Sequence, residues 1–520
     1  MRHSHQTTFR IPGRLTFFSQ PKKQKSYNLG QLIGLILGPV LFALILMFVH
    51  PEGLSHQGVF VLASTAWIAV WWITEAIPIP ATSLMPLVLM PIGHVMDPAQ
   101  VTSEYGNDII FLFLGGFVLA IAMERWNLHT RIALIIINSI GTSTGKILLG
   151  FMLATGGLSM FVSNTAAVMI MIPISLAIIA EAKALNDKEH HKHNLSKFEK
   201  SLVLAIGYAG TIGGMGTLIG TPPLIILKGQ YHTAFGEEIS FAKWMLIGIP
   251  TVIILLFLAW VYLRFVAFKQ ELKHLPGGDD LIKTKLKELG KVTFEEKVVF
   301  TVFTTASILW IIREFLLKQW GPTSLVQDGT IAMFVSILLF IIPAKNNKKY
   351  KRIIDWEVAK ELPWGVLILF GGGLALAKGI SESGLAKWLG AQLTALNGVS
   401  PLLIVIVITM FVLFLTEVTS NTATATMILP ILATLSVAIG VHPLLLMVPA
   451  AMASNCAYMM PVGTPPNAIV FGTGLISIKK MASVGFWVNL ISAVLIILVV
   501  YFLMPYALGI DISEPLKPLK

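Results

Sequence analysis

Two short polar sequence motifs, which we call words, each occur twice in this chain within strongly apolar stretches. The triplet Ser-Asn-Thr stands at 163–165 and 420–422, and Gly-Thr-Pro-Pro follows it at 220–223 and 463–466. Hydroxyl and amide side chains both donate and accept hydrogen bonds, and glycine lets the backbone approach a ligand closely. Proline removes a backbone donor and interrupts a helix. Such words can hold an ion or a small anion with neutral groups and free helix ends.

The order of these words indicates a duplicated chain. Each half also carries a glycine pair, Gly115-Gly116 or Gly371-Gly372, which precedes the triplet by 48 residues in the first half and by 49 in the second. Small residues at one such position would be explained by close helix packing. Two matching sets in one order instead indicate a transport site where two repeats meet.

Composition predicts an all-α polytopic membrane protein. Of the 520 residues, 55% are hydrophobic and only 12% are charged, which excludes an ordinary soluble protein. The net charge of +11 lies in the loops, so we expect contact with the lipid bilayer and no nucleic-acid partner. A single cysteine, Cys456, excludes an intramolecular disulfide, and we expect it to be a buried packing residue.

The charges of the loops predict how the chain crosses the membrane. The positive-inside rule places the basic tail 1–30 in the cytoplasm. It is consistent with eleven crossings, which put the C-terminus outside the cell. These crossings are 31–50, 59–77, 81–94, 108–124, 201–228, 242–267, 298–316, 327–343, 364–380, 443–474 and 484–508. The segments 147–180 and 401–440 each begin and end on one side, so we expect two re-entrant hairpins entering from opposite sides, as in inverted-topology repeats.

This threading predicts six segments. They are the basic cytoplasmic tail 1–30, scaffold helices 31–107, a transport part 108–241, further scaffold helices 242–363 with a cytoplasmic linker 269–297, a second transport part 364–483, and a last helix and tail 484–520.

The charge of a bound anion has to be offset without basic side chains. No Lys, Arg or His falls within the two triplets or the two Gly-Thr-Pro-Pro words. At an effective dielectric constant of about 20, a sodium ion 4 to 5 Å from a carboxylate contributes roughly 3 to 4 kcal/mol of attraction. Co-bound cations therefore suit this site, and they would couple the movement of the anion to that of the cation.

Other polar and aromatic residues have simpler explanations. We expect Glu417 to accept backbone hydrogen bonds that brace its hairpin, and Glu75 to lie at a helix end. The histidines of the charged loop, His190, His191 and His193, are expected to be solvated. Trp67, Trp71 and Trp72 are expected to be interface or lipid-facing anchors.

The paired words resemble those of the divalent anion/sodium symporter family. The resemblance extends from residue 31 to the end of the chain. It implies a homodimer, with a scaffold domain in each protomer and a transport domain that carries both hairpins and moves like an elevator.

The resemblance also implies the ligands. A dicarboxylate would lie between the triplets Ser163, Asn164, Thr165 and Ser420, Asn421, Thr422, with Thr221, Pro222, Thr464 and Pro465 adjacent. The first sodium would be held by Ser159, Ser163, Asn164 and Gly220. The second would be held by Thr416, Thr419, Asn421 and Gly463, with Thr419 acting through its main chain.

These features predict a sodium-coupled symporter in the plasma membrane that imports C4-dicarboxylates such as succinate, fumarate and malate. It would need no cofactor other than sodium as the coupling ion. Two alternatives keep the same fold: a dicarboxylate exchanger, and a sodium-coupled carrier of citrate or sulfate. A membrane-embedded enzyme is disfavoured because the polar words contain no paired carboxylates, metal-binding words or Ser/Lys dyads.

Overall fold

Helices make up the regular structure of the protein. A computed structural model describes residues 27–141, 143–188, 195–269, 278–315, 325–345, 351–393, 398–461 and 463–518. Within those ranges an isolated β-bridge joins Pro343 and Arg352. Most of the predicted basic tail, residues 270–277 of the linker, and His190, His191 and His193 lie outside the described residues.

Twelve α-helices lie within the described residues between Leu29 and Val261. They are α1 Leu29–Phe48, α2 His56–Thr74, α3 Ile79–Thr82, α4 Pro86–Ile92, α5 Pro98–Tyr105, α6 Asp108–Arg125, α7 Leu128–Ile140, α8 Thr144–Ser159, α9 Asn164–Lys188, α10 Ser196–Gly213, α11 Pro222–Phe235 and α12 Phe241–Val261. The remainder are α13 Gly278–Glu288, α14 Phe294–Phe315, α15 Asp328–Ile341, α16 Trp364–Glu382, α17 Leu385–Leu393, α18 Pro401–Thr416, α19 Asn421–Ala438, α20 Pro443–Asn455, α21 Pro465–Gly472, α22 Ile478–Leu498 and α23 Met504–Leu508.

The helix order recurs between the two halves. The series α6 to α11 and the series α16 to α21 both run from a long helix with the glycine pair, through a short helix, to two helices that flank the triplet. In each half the second of these two helices begins at the asparagine of the triplet. A later helix begins at the first proline of Gly-Thr-Pro-Pro. Proline suits that first helical position because its missing N–H would have no partner there. Both α12 and α22 then run into a π-helical turn, at Tyr262–Ala267 and Val499–Leu503.

Among the described residues, eight helical segments are long and apolar enough to cross a membrane. They are Leu29–Phe48, His56–Thr74, Pro98–Arg125, Asn164–Ala184, Phe241–Ala267, Trp364–Glu382, Asn421–Ala438 and Ile478–Leu508. Asn164–Ala184 and Asn421–Ala438 fall in the segments predicted to be hairpins, so the count of eleven crossings stays a prediction. The chain is an all-α membrane protein with several spans.

Three predicted crossings are interrupted in the structure. The segment 201–228 is divided between α10 and α11, 443–474 between α20 and α21, and 81–94 between α3 and α4. The prolines of the Gly-Thr-Pro-Pro words begin α11 and α21, and Pro86 begins α4. Hydropathy averaged over a stretch of residues does not detect such breaks, because the residues around each break are still hydrophobic.

The prediction that Trp72 is a lipid-facing anchor is wrong. Its side chain is only 1% exposed, and its indole N–H donates to the hydroxyl of Ser83 at 3.1 Å. Trp71 donates to the carbonyl of Gly34 in α1 at 3.0 Å. These tryptophans therefore join α2 to neighbouring segments of the protein.

Close helix packing holds the polar segments together. α10 crosses α8 so tightly that a Cβ atom on Gly213 would lie 2.2 Å from the carbonyl oxygen of Gly156. Only glycine permits this approach. The contact brings the end of α10 beside the end of α8, where the first triplet follows.

Candidate functional site

One cavity of about 750 Å³ collects the polar words of both halves. The predicted site residues that line it are Ser163, Asn164, Thr165, Gly220, Thr221, Pro222, Thr419, Ser420, Asn421, Thr422, Gly463, Thr464 and Pro465. The two other predicted residues, Ser159 and Thr416, lie behind the asparagines and are fully buried. Residues separated by some 250 positions in the chain thus face one space, as the duplicated pattern predicts. We call the Ser159, 163–165 and 220–222 set the first cradle, and the Thr416, 419–422 and 463–465 set the second cradle.

Helices of both cradles begin at this cavity. α9 and α19 start at Asn164 and Asn421, and α11 and α21 start at Pro222 and Pro465. The hydroxyl of Ser163 accepts a hydrogen bond from the N–H of Ala166, so it caps α9. A free helix N-terminus carries about half a positive charge. The cavity therefore offers an anion several partial positive charges without a basic side chain.

In the first cradle, oxygen atoms converge around one point. Oδ1 of Asn164 lies 2.7 Å from Oγ of Ser159, 3.2 Å from the carbonyl oxygen of Gly210 and 3.3 Å from that of Gly220. Two arrangements satisfy such a cluster: an amide turned so that its NH₂ faces the oxygens, or a cation between them. Side-chain and unwound main-chain oxygens at a helix break are the donors that bind sodium in transporters of this type. The residues present therefore fit a sodium ion.

The second cradle repeats that geometry. The hydroxyl of Thr416 lies 2.6 Å from Oδ1 of Asn421 and donates to the carbonyl of Ser454 at 2.7 Å. Ser159 makes the corresponding bond to the carbonyl of Gly210 at 2.5 Å. The carbonyls of Gly210 and Ser454 were missed by the sequence analysis, since main-chain oxygens carry no residue-type signal.

Thr419 turns its side chain away from such a role. Its hydroxyl donates to the carbonyl of Leu415 at 2.8 Å and lies 2.6 Å from the hydroxyl of Thr424. Its hydroxyl is thus engaged within the hairpin, and a role of Thr419 through its main chain stays a prediction.

Glu417 braces the second cradle from behind. Its carboxylate accepts hydrogen bonds from the backbone N–H groups of Tyr458, Met459 and Met460 at 2.8 to 3.1 Å. It also accepts one from the side-chain amide of Asn489 at 2.7 Å. These bonds hold the loop between α20 and α21, so the predicted bracing role of Glu417 is confirmed.

Glu75 ends α2 in a left-handed conformation, with φ 49°, and its predicted place at a helix end is also confirmed.

Asn455 joins the two halves and was missed by the sequence analysis. It is fully buried at the end of α20 and lines the cavity. Its side chain bonds to Thr221 of the first cradle at 2.7 Å and to the carbonyl of Thr211 at 2.7 Å. The available signal was an amide residue in an otherwise apolar helix, eight positions before Gly463.

The described lining of the cavity contains no Lys, Arg or His, and its one acidic residue is Glu75. The rest of the polar lining consists of hydroxyl, amide and main-chain groups. An anion bound there would be neutralised by helix ends and by co-bound cations. This is the chemistry of a cation-coupled anion carrier rather than of a basic anion-binding pocket.

Two curated relatives match nearly the whole chain. It is 76% identical over 506 residues to the sodium-dependent dicarboxylate transporter SdcS of Staphylococcus saprophyticus, covering 97% of each chain. It is 77% identical over 506 residues to the protein of the same name from Staphylococcus aureus, again covering 97% of each.

Solved structures support the fold alone. The chain resembles the MtrF antimetabolite efflux pump of Neisseria gonorrhoeae with a TM-score of 0.56 and 10% identity, over 92% of this chain and 98% of that one. It resembles the YdaH transporter of Alcanivorax borkumensis with a TM-score of 0.51 and 13% identity, over 92% and 97%. Both are membrane transporters.

A family model described as the sodium:sulfate symporter transmembrane region matches residues 30–508. This match spans both cradles and every helix from α2 to α23. Together with the full-length relatives, it shows that the chain belongs to the sodium:sulfate symporter family, the divalent anion/sodium symporters that its paired words resemble.

Proposed function

We propose that this protein is a sodium-coupled symporter that imports C4-dicarboxylates such as succinate, fumarate and malate. The observation that carries this proposal is the cavity in which two neutral cradles face each other with no basic side chain in the described lining. The relatives are named as sodium-dependent dicarboxylate transporters, which supports both the ion and the substrate class. Membership of a transporter family also argues against a membrane enzyme.

The substrate would lie between the cradles. Its carboxylates would bind the hydroxyl, amide and backbone N–H groups of the two triplets, with Thr221, Pro222, Thr464 and Pro465 beside them. The first sodium would bind Ser159, Ser163, Asn164 and Gly220, and the second would bind Thr416, Thr419, Asn421 and Gly463. The oxygen cluster at Asn164 and its counterpart at Asn421 support these assignments.

Transport would proceed by alternating access of an elevator type. The recurring order of α6–α11 and α16–α21 supports two repeats, which we propose to have inverted topology, with α8–α9 and α18–α19 as re-entrant hairpins. The transport domain would consist of 108–241 and 364–483. The segments 31–107 and 242–363 would form a scaffold that holds a homodimer together.

The orientation follows from the loop charges. We propose that the protein lies in the plasma membrane with its N-terminus in the cytoplasm and its C-terminus outside. The cavity extends to Asn28 and Gln31 at the start of α1. With the N-terminus inside, this end of the cavity would lie towards the cytoplasm, and we propose that the conformation is inward-facing.

A carrier of sulfate or citrate on the same fold is the main alternative for the substrate, because the family description names sulfate. The size of the cavity favours the dicarboxylate over sulfate. Two cradles across about 750 Å³ can each take one carboxylate of a C4 acid, whereas sulfate is much smaller than this space.

Uptake of radiolabelled succinate into proteoliposomes tests the proposal. Uptake should require an inward sodium gradient, weaken when lithium replaces sodium, and be competed by fumarate and malate but not by sulfate or citrate. Empty liposomes give the background. Full uptake in choline medium with an imposed proton gradient would contradict sodium coupling, and counterflow without net uptake would make the protein an exchanger.

A further inference from the structure

The threonines of the two Gly-Thr-Pro-Pro words occupy corresponding places, but their hydroxyl groups are bonded in opposite ways. Thr221 lies 2.7 Å from Oδ1 of Asn455 and makes no side-chain cap bond at the start of α11. Thr464 accepts a hydrogen bond from the backbone N–H of Asn467 at 3.3 Å, as the cap of α21. The duplicated sequence therefore does not produce two identical hydrogen-bonding ends.

The direction of the bond at Thr221 is dictated by the main chain. The NH₂ group of Asn455 donates to the carbonyl oxygen of Thr211 at 2.7 Å. A carbonyl can only accept, so turning the amide over would set two oxygens against each other at that distance. Oδ1 of Asn455 must then face Thr221, and the hydroxyl of Thr221 must be the donor.

Burial makes this arrangement durable. Asn455 is fully buried and Thr221 is only 2% exposed. A buried amide that lost either bond would leave an unsatisfied polar atom, which is costly. The proton of Thr221 is thus committed to Asn455.

The two threonines consequently present different chemistry to the cavity that both line. A hydroxyl that has given its single proton can only accept further hydrogen bonds. Thr221 therefore repels a carboxylate oxygen and suits an O–H donor. The oxygen of Thr464 takes the N–H of Asn467, and its own proton has no acceptor among the described residues, so it suits a carboxylate.

We propose that Asn455 is a positioning residue that makes Thr221 an acceptor, and that Thr221 receives the hydroxyl group of a 2-hydroxydicarboxylate such as malate. Thr464 donates to a carboxylate at the other end. This inference rests on the proposed transport of dicarboxylates. Succinate lacks the hydroxyl and does not gain the bond to Thr221, so Asn455 is needed for binding of malate more than for binding of succinate.

The ratio of the KM for malate to the KM for succinate tests this role, since expression level and general loss of activity cancel in a ratio. Proteoliposomes would carry the wild-type protein, Asn455→Ala, Thr221→Val or both substitutions. The ratio should rise roughly 3- to 10-fold in each single variant, as expected for the loss of one hydrogen bond to a substrate group. The double variant should show no larger rise than Thr221→Val alone, because Asn455 acts through Thr221.

Cys456→Ala is the matched control. Cys456 follows Asn455 in the chain and is equally buried, but it does not line the cavity, so the ratio should stay within about twofold of the wild-type ratio. If the Asn455→Ala protein does not accumulate in the membrane, the ratio of KM values measured with Thr221→Val tests the proposal by itself.

Three results would overturn the proposal, and they are distinguishable. An unchanged ratio in variants that still transport both acids would make Asn455 a packing residue only. A shift in the sodium dependence with an unchanged ratio would assign the acceptor to a cation instead. If the wild-type protein took up neither acid with sodium, the proposed function itself would fail.

Discussion

The carboxylate of Glu417 accepts a hydrogen bond from the side-chain amide of Asn489 at 2.7 Å, which ties the start of the second triplet to α22. Both residues are buried, with 3% and 0% exposure. The same carboxylate holds three successive backbone N–H groups, at Tyr458, Met459 and Met460. At the position corresponding to Glu417, the first half has Met160, which has no carboxylate and whose carbonyl accepts from the hydroxyl of Thr217.

We expect Glu417→Gln to weaken both stability and uptake. The substituted NH₂ group would face the backbone N–H donors, and buried donors left without an acceptor cost roughly 1 to 3 kcal/mol each. Thermal unfolding of the purified protein would measure the loss. Glu357→Gln, on an exposed side chain, should change little. An unfolding temperature in Glu417→Gln equal to that of the wild type would mean that the brace is dispensable.

Asn164→Ala and Asn421→Ala should each reduce sodium-dependent uptake at least 10-fold with normal membrane expression. Each asparagine supplies a polar amide group to its cradle that alanine cannot replace. Initial rates of succinate uptake at several sodium concentrations would show the loss. Asn138→Ala, at an exposed position on α7, serves as the control. Normal transport by both cradle variants would remove the proposed sodium sites.

A buried ionic cluster away from the cavity should dominate stability. Asp328 lies 2.7 Å from Lys228 and 2.8 Å from Arg313, and all three are at most 2% exposed. Asp328→Asn should destabilise the protein by about 3 to 5 kcal/mol, because it leaves two buried cations short of a partner. Chemical unfolding in detergent would measure this loss.

A double substitution separates the cost of leaving a buried charge unpaired from the net contribution of the ion pair to stability. Lys228→Met combined with Asp328→Leu should cost less than the sum of the two single changes. The exposed Lys360, paired with Glu357, gives the control, since Lys360→Ala should cost less than about 1 kcal/mol. Additive losses in the double variant would contradict a coupled cluster.

Stability should fall as the pH drops from about 6.5 to 4, through His442. Burial lowers the pKa of this histidine to about 4, against a smaller opposing effect of Asp511. Because the folded state disfavours the charged ring, His442 contributes stability above its unfolded pKa of about 6.5 and loses it as protons bind the unfolded state. The loss should reach about 3 kcal/mol at pH 4.

His442→Asn isolates that contribution. Nδ1 of His442 accepts from the N–H of Leu444 as the cap of α20, and asparagine is a good cap that does not titrate. Unfolding temperatures between pH 4 and pH 7 should therefore vary less in this variant. The same pH profile in both proteins would assign the acid sensitivity to other groups.

The prolines of the Gly-Thr-Pro-Pro words predict helix breaks, although the predicted crossings 201–228 and 443–474 ran through them. The partners of these helix ends could not be predicted. The Gly-Thr-Pro-Pro words begin α11 and α21 because proline dictates local backbone geometry. Asn455 and the carbonyl of Gly210 depend on how α10 and α20 cross other helices. Such contacts arise from tertiary packing, and residue types along one segment do not report them.

The burial of Trp72 has the same origin. Tryptophan is frequent at membrane interfaces, so three tryptophans in one apolar helix favour anchors. Trp72 nevertheless packs inward, in a buried apolar cluster where Ser83 offers an acceptor to its indole N–H. The preference of tryptophan for membrane interfaces is a property of the residue type. At Trp72 it is overridden by contacts within the protein.

A cavity whose described lining holds no fixed cation has a weak hold on any anion that arrives by itself. Chloride, phosphate and amino-acid carboxylates are abundant in cytoplasm, and a permanent arginine would attract them all. The arrangement found here leaves the vacant carrier almost indifferent to such competitors. Binding would then depend on the sodium concentration of the compartment that the cavity faces, so release is favoured wherever that concentration is low.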